Sequence, residues 1–402
     1  MNDPNFNLKR AKVSTVLKTV RDSSFEELKE QYDTVLNTHR STRNDEPTPI
    51  GLVSEMLGFV PSEVWTRDNL KVIDLCCGLG NFPIVLWKIL GQQSFNNSVL
   101  LNELSPERLG IAKEILQTNN VRCGDALTIE GMYDVVVANP PYALLNSDGK
   151  RASKNHNLIN AFIDKALDIT KKNGFVVFVV PNSWCSPSKR NKLCRHITSL
   201  QFHHLNLMDC KKWFPKIGSS FSYFVVENTP HTKPFRCVSL FKKELTDEML
   251  DSQTRDWIPL HWNNAIKELL ADTVDREDYE SFKIETSSDL HNYTKKLCLQ
   301  DTEDVEHPYE IIHTFRKTRW SSKPHKFQTG WKLLLNLTGY YGTIVRKDVG
   351  VTQSVAFVRC ETEIDANNLK TILDRSIYKK LNDLHRFGNF NNLTILSKFG
   401  LF

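Results

Sequence analysis

Tyr133-Asp134-Val135-Val136-Val137-Ala138-Asn139-Pro140-Pro141-Tyr142 is an apolar run that stops at two prolines. The run reads as a buried strand of a parallel sheet. Proline removes a backbone donor and fixes the chain direction, so the strand ends there and the turn that follows is rigid. That corner offers one side-chain amide, one carbonyl with no competing neighbour, and an aromatic ring beside them. A planar amino group needs such a receptor if its nitrogen is to become nucleophilic: two acceptors for its hydrogens, and a ring to stack on the attached base. The same tetrapeptide also occurs as an ordinary strand-to-loop turn. The residues upstream decide between these readings.

Leu70-Lys71-Val72-Ile73-Asp74-Leu75-Cys76-Cys77-Gly78-Leu79-Gly80-Asn81-Phe82 reads as strand, glycine turn and helix. Gly78 and Gly80 let the backbone turn sharply and lie close to a ligand, and Pro83 suits the first turn of the helix expected at 84–90. The turn is one glycine short of the dinucleotide fingerprint. Val99-Leu100-Leu101-Asn102-Glu103 is a second buried strand ending in an acid placed for a ribose hydroxyl pair. Gly124-Asp125-Ala126 follows, with Asp125 positioned to accept from an adenine amino group. Any one of these carboxylates alone would read as a helix cap or a solvated loop acid. Their order and spacing favour a nucleoside site.

The series resembles the class I S-adenosylmethionine-dependent methyltransferases, specifically the DNA amino-methyltransferases with an Asn/Asp/Ser-Pro-Pro-Tyr/Phe motif. Asp74, Gly78, Gly80 and Phe82 match that family's first cofactor motif, Glu103 its ribose acid and Asp125 the acid near the cofactor adenine. Asn139, Pro140 and Tyr142 match the catalytic motif, with Asn139 also lying against the cofactor. Thr48-Pro49 resembles the N-terminal Thr-Pro segment, which precedes a helix touching the cofactor's methionine end. Two positions depart from the pattern: Cys76-Cys77 in the glycine turn, and Asn102, where an apolar residue or glycine is common. Cofactor motif first, catalytic motif next and a long variable segment last is similar to the gamma arrangement of adenine-specific restriction-modification enzymes. Asn at the head of the tetrapeptide leans toward adenine over cytosine. Protein-glutamine methyltransferases share the tetrapeptide but are usually shorter, so the extra C-terminal domain argues for a nucleic acid.

What the resemblance implies is a doubly wound α/β fold with a mostly parallel, Rossmann-like sheet. The expected division is an N-terminal helical extension over 1–45 (with a helix at 25–39), a catalytic domain over 46–243 and an α+β target-recognition domain over 244–402. Strands are expected at 72–75, 99–102, 135–138, 174–180, 204–207 and 221–226, the last two as an antiparallel edge. Further helices are expected at 106–117, 158–170 and 368–383. Composition agrees: 402 residues, 40% hydrophobic and 25% charged, are enough for two cores. No apolar stretch approaches a membrane span, and the polar start lacks a signal peptide's apolar stretch. Nine cysteines, odd in number and without a Cys-x-x-Cys pair, point to reduced thiols in the cytoplasm, with no metal site.

The net charge of +5 decides little, but its distribution is informative. Residues 244–310 are acidic. Residues 311–359 bring Arg316, Lys317, Arg319, Lys323, Lys326, Lys332, Arg346, Lys347 and Arg359 against Asp348 alone, with Phe315, Trp320, Phe327, Trp331, Tyr340 and Tyr341 interleaved. Such cations suit phosphate neutralisation, while the aromatics read better as the core of this domain. The polar insert 143–157 places Lys150 and Arg151 beside the catalytic tetrapeptide, where they could meet phosphates. Phe214 or Phe221 would stack on the target base. His203 and His204 read as structural. The function expected is methyl transfer to a flipped-out adenine in double-stranded DNA, with any restriction endonuclease on a separate chain. RNA adenine or protein-glutamine methylation, and non-catalytic DNA binding on the same fold, are the alternatives.

Overall fold

The computed structural model of the chain describes residues 47–142, 157–187, 192–207, 212–214, 220–251, 254–276, 283–387 and 390–399. The expected helix at 25–39, the segment 143–156 with Lys150 and Arg151, and residues 215–219 lie outside the described residues. The chain divides into two compact units, Met1–Trp184 with Lys192–Asp256, and Cys185–Asn191 with Trp257–Phe402.

The first unit is built on a nine-stranded sheet in the order β3-β2-β1-β4-β5-β7-β6-β8-β9. Its strands are β1 (Val72–Asp74), β2 (Val99–Glu103), β3 (Val121–Cys123), β4 (Tyr133–Ala138), β5 (Thr170–Pro181), β6 (Leu200–Leu207), β7 (Phe221–Pro230), β8 (Phe235–Phe241) and β9 (Glu244–Leu250). β1 pairs in parallel with β2 and β4, and the parallel set continues outward to β3 and β5. Both faces are covered, which explains the unbroken apolar runs. Val135, Val137, Phe175, Val177 and Val179 share one core with the helices Ile50–Leu57, Asn81–Ser98 and Pro106–Leu116. Val136, Val176 and Val180 are equally buried and, by strand alternation, point to the opposite face. The helix Asn157–Asp168 packs on β5. The doubly wound, mostly parallel fold expected from the sequence is therefore present.

Two expectations about the sheet need correcting. β7 is not an edge: it lies antiparallel between β5 and β6, and the sheet runs on through β8 and β9. The expected division begins a new domain at 244, yet Glu244–Leu250 is the last strand of the first sheet. Asp247 receives Nε and Nη2 of Arg236 on β8 at 2.7 and 2.6 Å, so the first unit closes at Asp256.

The second unit carries two four-stranded sheets, β10-β17-β14-β15 and β11-β13-β12-β16. These strands are β10 (Glu285–Thr286), β11 (Leu299–Gln300), β12 (Tyr309–Thr314), β13 (Lys317–Ser321), β14 (Trp331–Asn336), β15 (Thr343–Lys347), β16 (Gly350–Val351) and β17 (Val355–Cys360). Phe315 and Phe327 pack against a core of Ile312, Leu334, Val349, Val351, Val355 and Phe357, as expected of the interleaved aromatics, whereas Tyr340 is exposed and does not serve as core. The single helix expected over 368–383 is two, Glu363–Leu373 and Ser376–Leu384, because Arg375 between them takes an extended ψ of 146°. Thr362 and Asp365 form a capping box that starts the first of these earlier than expected. No helix among the described residues is long and apolar enough to cross a membrane.

Gly174 sits where β5 enters the sheet after a shift in register against β4. A Cβ there would lie 2.9 Å from the carbonyl oxygens of Asp134 and Lys171, groups that cannot swing aside. Gly174→Ala is expected to destabilise the first unit by about 1–3 kcal/mol, read as a lower urea midpoint with an unchanged slope. A midpoint at the wild-type value would show that the entry to β5 tolerates a side chain.

Candidate active site

Residues of a buried parallel strand can meet a ligand only where the strand stops, so the carboxyl edge of β1, β2, β3 and β4 is the natural place for a site. Asp74 ends β1, Glu103 ends β2, Gly124-Asp125 follow β3, and Asn139 follows β4. The structure thus gathers these sequence-selected residues on one edge.

Asp74 is 1% exposed. Its Oδ1 accepts the Cys76 amide at 3.0 Å, while Oδ2 is buried with no hydrogen-bond partner among the described residues. Burial, and secondarily the nearby Glu103, push its carboxyl up to about 8 against the lowering pull of the Cys76 amide. Glu103 Oε2 accepts the Gly78 amide at 2.9 Å and Oε1 the Ser105 amide at 2.9 Å. Each oxygen retains a second lone pair for a hydroxyl donor. Gly78 and Gly80 adopt φ of 56° and 103°, a left-handed backbone that side chains disfavour. Asp125 is exposed and uses Oδ1 to cap its own turn through the Leu127 amide at 2.9 Å. An unmet buried carboxylate oxygen, a glycine cradle and a paired acid fit a ligand that brings an amine and a diol.

Asn139 is tied to the glycine-turn helix through the N-terminal segment. Its Nδ2 donates to Thr48 Oγ1 at 3.0 Å, and the Thr48 carbonyl accepts from Nδ2 of Asn81, the first residue of the helix, at 2.7 Å. The sequence reading assigned the Asn139 side-chain oxygen no donor within the chain. The structure supplies one: the Tyr142 hydroxyl donates to Asn139 Oδ1. The Tyr142 ring stands edge-on to Phe221 with centroids 5.4 Å apart. Phe221 and Phe214 contact each other and are both 2% exposed, so neither ring has an open face in this arrangement. Phe82 lies in the core beneath the helix rather than at its surface.

Several contributors escaped the sequence reading. Asn81 sits within the glycine-turn sequence, where its neighbours give no sign of the bond to Thr48. Tyr223 on β7 donates its hydroxyl to Glu55, pinning the helix that follows Thr48 to the sheet, and His204 Nε2 lies 3.1 Å from the same hydroxyl. His204 stacks on Phe59 with centroids 3.7 Å apart. Burial holds its imidazole down to about 3, so it stays neutral. Nothing in the spacing of these residues announces the cluster, because their partners are far apart in sequence.

In the second unit the basic segment is put to several uses. Lys332 is 1% exposed and spends its ammonium on the carbonyls of Gln328, Thr329 and Gly330 at 3.0–3.2 Å, which removes it from any phosphate-binding surface. Arg319 donates to the carbonyls of Leu299 and Gln300 and pairs with Asp301 at 3.1 Å, bracing β13 to β11. Lys317 also pairs with Asp301, at 3.3 Å, but stays half-exposed. Arg316, at the turn between β12 and β13, is exposed and its guanidinium has no partner among the described residues.

Residues 88–214 match the model of the Eco57I restriction-modification methylase family. This is the kind of family expected from the residues at 74–82, 103, 125 and 139–142. A protein of Mycoplasma pneumoniae described as an uncharacterized adenine-specific methylase is 24% identical over 169 residues, 40% of this chain and 39% of its own. The chain thus spans about four-tenths of the length of that curated relative. Among solved structures, the type IIL restriction-modification enzyme MmeI in complex with DNA is similar over 96% of this chain and 66% of its own, at 11% identity and a TM-score of 0.53. The DrdV–DNA complex is similar over 89% of this chain and 54% of its own, at 10% identity and a TM-score of 0.53. At such identities these two likenesses concern the fold.

The raised pKa of Asp74 carries a sign. The folded chain holds this proton more tightly than the unfolded chain, so Asp74 supports folding fully below pH 4 and its contribution is lost as pH rises through about 8. Urea unfolding of the ligand-free protein at pH 5 and pH 8 is expected to show a larger stability loss for wild type than for Asp74→Asn. Identical losses in both would place the ionisation elsewhere.

Proposed function

We propose that this chain transfers a methyl group from S-adenosylmethionine to the exocyclic amino group of an adenine in double-stranded DNA at a defined sequence. One observation carries the reading: the Asn139 side chain, fixed by Thr48 and Asn81, stands on the same strand-end edge as Asp74, the Gly78 turn and Glu103. The Eco57I match and the name of the Mycoplasma pneumoniae relative support adenine as the target. The DNA complexes of MmeI and DrdV support DNA as the polymer.

When bound, S-adenosylmethionine supplies an electrophilic methyl group on a sulfonium. Glu103 would take the ribose hydroxyls, Asp125 the adenine amine of the cofactor, and the buried Asp74 with the Gly78–Gly80 turn the amino-acid end, near Thr48. A target adenine inside a duplex cannot reach this edge, so it is flipped out, at a cost of a few kcal/mol of unstacking. The Tyr142 hydroxyl leaves Asn139, and the phenol ring stacks on the base. Asn139 Oδ1 and the Pro140 carbonyl accept the two amino hydrogens, which draws the nitrogen lone pair out of conjugation and aims it. The chain thereby works by positioning and fixed dipoles. The methylated nitrogen is briefly cationic and releases its proton to water, so no strong base is required. Arg316 and Lys317, with Lys150 and Arg151, are assigned to phosphates, and Arg319 to bracing the strand that carries Lys317.

Labelled methyl transfer to DNA, RNA and protein offered in parallel, followed by mapping of modified bases, tests the proposal. Label is expected on adenine of DNA alone. Asn139→Ala should lower the transfer rate a hundredfold or more, by loss of a fixed acceptor of the kind that stabilises transition states (roughly 10²–10³), with cofactor affinity little changed. Tyr142→Phe should retain transfer and lower KM for DNA, because it keeps the ring and removes the competing hydroxyl; Tyr142→Ala should lose transfer. Label on glutamine or RNA, or equal loss of cofactor affinity and rate in Asn139→Ala, would overturn it.

A further inference from the structure

Asn102 is a polar residue in a buried strand, 1% exposed, at a position where an apolar side chain would satisfy the sheet. Burying an amide is tolerable only if its bonds are made. Here they go to the loops beyond the strand ends and to the adjacent strand β3. Nδ2 donates to the carbonyl of Leu75, just past β1, at 2.8 Å, and to that of Gly124, just past β3, at 3.2 Å. Oδ1 accepts from Arg122 Nη1 at 2.6 Å. The same Nη1 reaches the Asp125 carbonyl at 3.2 Å, and Nη2 reaches Thr128 Oγ1 at 2.8 Å. The Thr128 hydroxyl in turn donates to the Asp125 carbonyl at 2.8 Å. A Cβ on Gly124 would lie 3.1 Å from Nη1 and 3.3 Å from Cζ of Arg122, so the guanidinium rests directly on this glycine. The backbone completes the lattice: the Cys77 amide donates to the Asn102 carbonyl at 2.9 Å, and the Gly124 amide to the Glu103 carbonyl at 3.1 Å.

One amide and one guanidinium therefore join the three segments that would surround a nucleoside: the approach to the Gly78 turn, Glu103, and the Gly124–Asp125 loop. We propose that Asn102 and Arg122 are positioning residues that preset the adenosine half of the cofactor site, a role resting on the methyltransferase reading above. Arg122 fixes where the Asp125 side chain starts, and Asn102 fixes the distance between that loop and the glycine turn. Neither residue needs to touch the ligand. Preorganisation of this kind acts on affinity, because an untethered loop must be ordered when the ligand arrives.

The test is calorimetric titration of the full chain with S-adenosylhomocysteine and with 5′-methylthioadenosine, which lacks the amino-acid end. Arg122→Met keeps the hydrocarbon stem over Gly124 and removes the hydrogen bonds. It is expected to weaken both ligands by the same factor, about tenfold or more for lost charge-assisted bonds, and to raise KM for S-adenosylmethionine more than it lowers kcat. Arg122→Lys should recover part of the loss. Asn102→Leu should behave alike where it folds, and its effect should not add to that of Arg122→Met. A lower melting temperature with unchanged affinity for 5′-methylthioadenosine would show a merely structural role and overturn the inference. If wild type binds S-adenosylhomocysteine and Arg122→Met binds it equally well, the inference fails while the functional reading stands. If wild type binds neither ligand, the functional reading fails first and takes this with it.

Discussion

The middle of a parallel sheet buried on both faces is a costly place for a polar side chain that cannot find a partner. Through the paired stretches Val72–Ile73, Val135–Ala138 and Phe175–Val180 the ladder satisfies the backbone and the side chains are apolar, and the charged pair Asp134–Lys171 lies toward the opposite, amino end of β4 and β5. At the carboxyl ends the restriction lifts abruptly, and Asp74, Asn102, Glu103 and Asn139 crowd into that narrow band. Three of the four are less than 9% exposed. The two acids are held by the backbone amides of Cys76, Gly78 and Ser105, and Asn102 by the carbonyls of Leu75 and Gly124 together with the Arg122 guanidinium. What remains unserved is Asp74 Oδ2. An unmade bond on a buried polar atom costs about 1–3 kcal/mol, and a ligand amine at that point would return it.

The Asn139 corner is held by a different device. Asn139 does not reach the glycine turn directly; Thr48 stands between, accepting with its hydroxyl and presenting its carbonyl to Asn81. Thr48 is itself held because the helix Ile50–Leu57 buries Ile50, Leu52, Val53, Met56 and Leu57 against the sheet and Glu55 against Tyr223. An apolar helix face thus sets the position of a hydroxyl, which sets the rotamer of the amide. Substitutions at Glu55 or Tyr223 would reach Asn139 through this chain without touching it.

Much of this was legible in the sequence for a simple reason. Buried parallel strands announce themselves as apolar runs, and the residues that end them are fixed by sequence position, so Gly78, Glu103, Asp125 and Asn139 fall at strand ends by sequence alone. The bonds among them were not legible. Asn102 looked like a mere departure from a pattern because its partners Leu75, Arg122 and Gly124 lie on three separate segments. Asn81 was hidden inside a glycine turn. The strand Glu244–Leu250 was placed past the domain boundary, because the diagonal Arg236–Asp247 pair that ties it to β8 joins segments with no apolar run to announce them. Lys332 and Arg319 counted as surface cations because a charge tally cannot see that backbone carbonyls have already claimed them.

The Tyr142–Asn139 contact bears on how an amine could enter this corner. An empty acceptor followed by two prolines would stand partly desolvated, and closing over it would leave the amide oxygen without a donor. The phenol prevents that by donating to the oxygen that an incoming amino group would seek. Entry of a base is then an exchange of one donor for another at Asn139 Oδ1. The hydrogen-bond term nearly cancels, and the barrier falls on the unstacking of the base and the turning of one ring away from Phe221. A planar base would recover part of that by stacking on the freed ring, a contribution of about 1–3 kcal/mol. A ligand without a flat face would recover none of it. In the proposed function the corner would thus discriminate by the ring its displaced tyrosine must find as well as by the amine its asparagine receives.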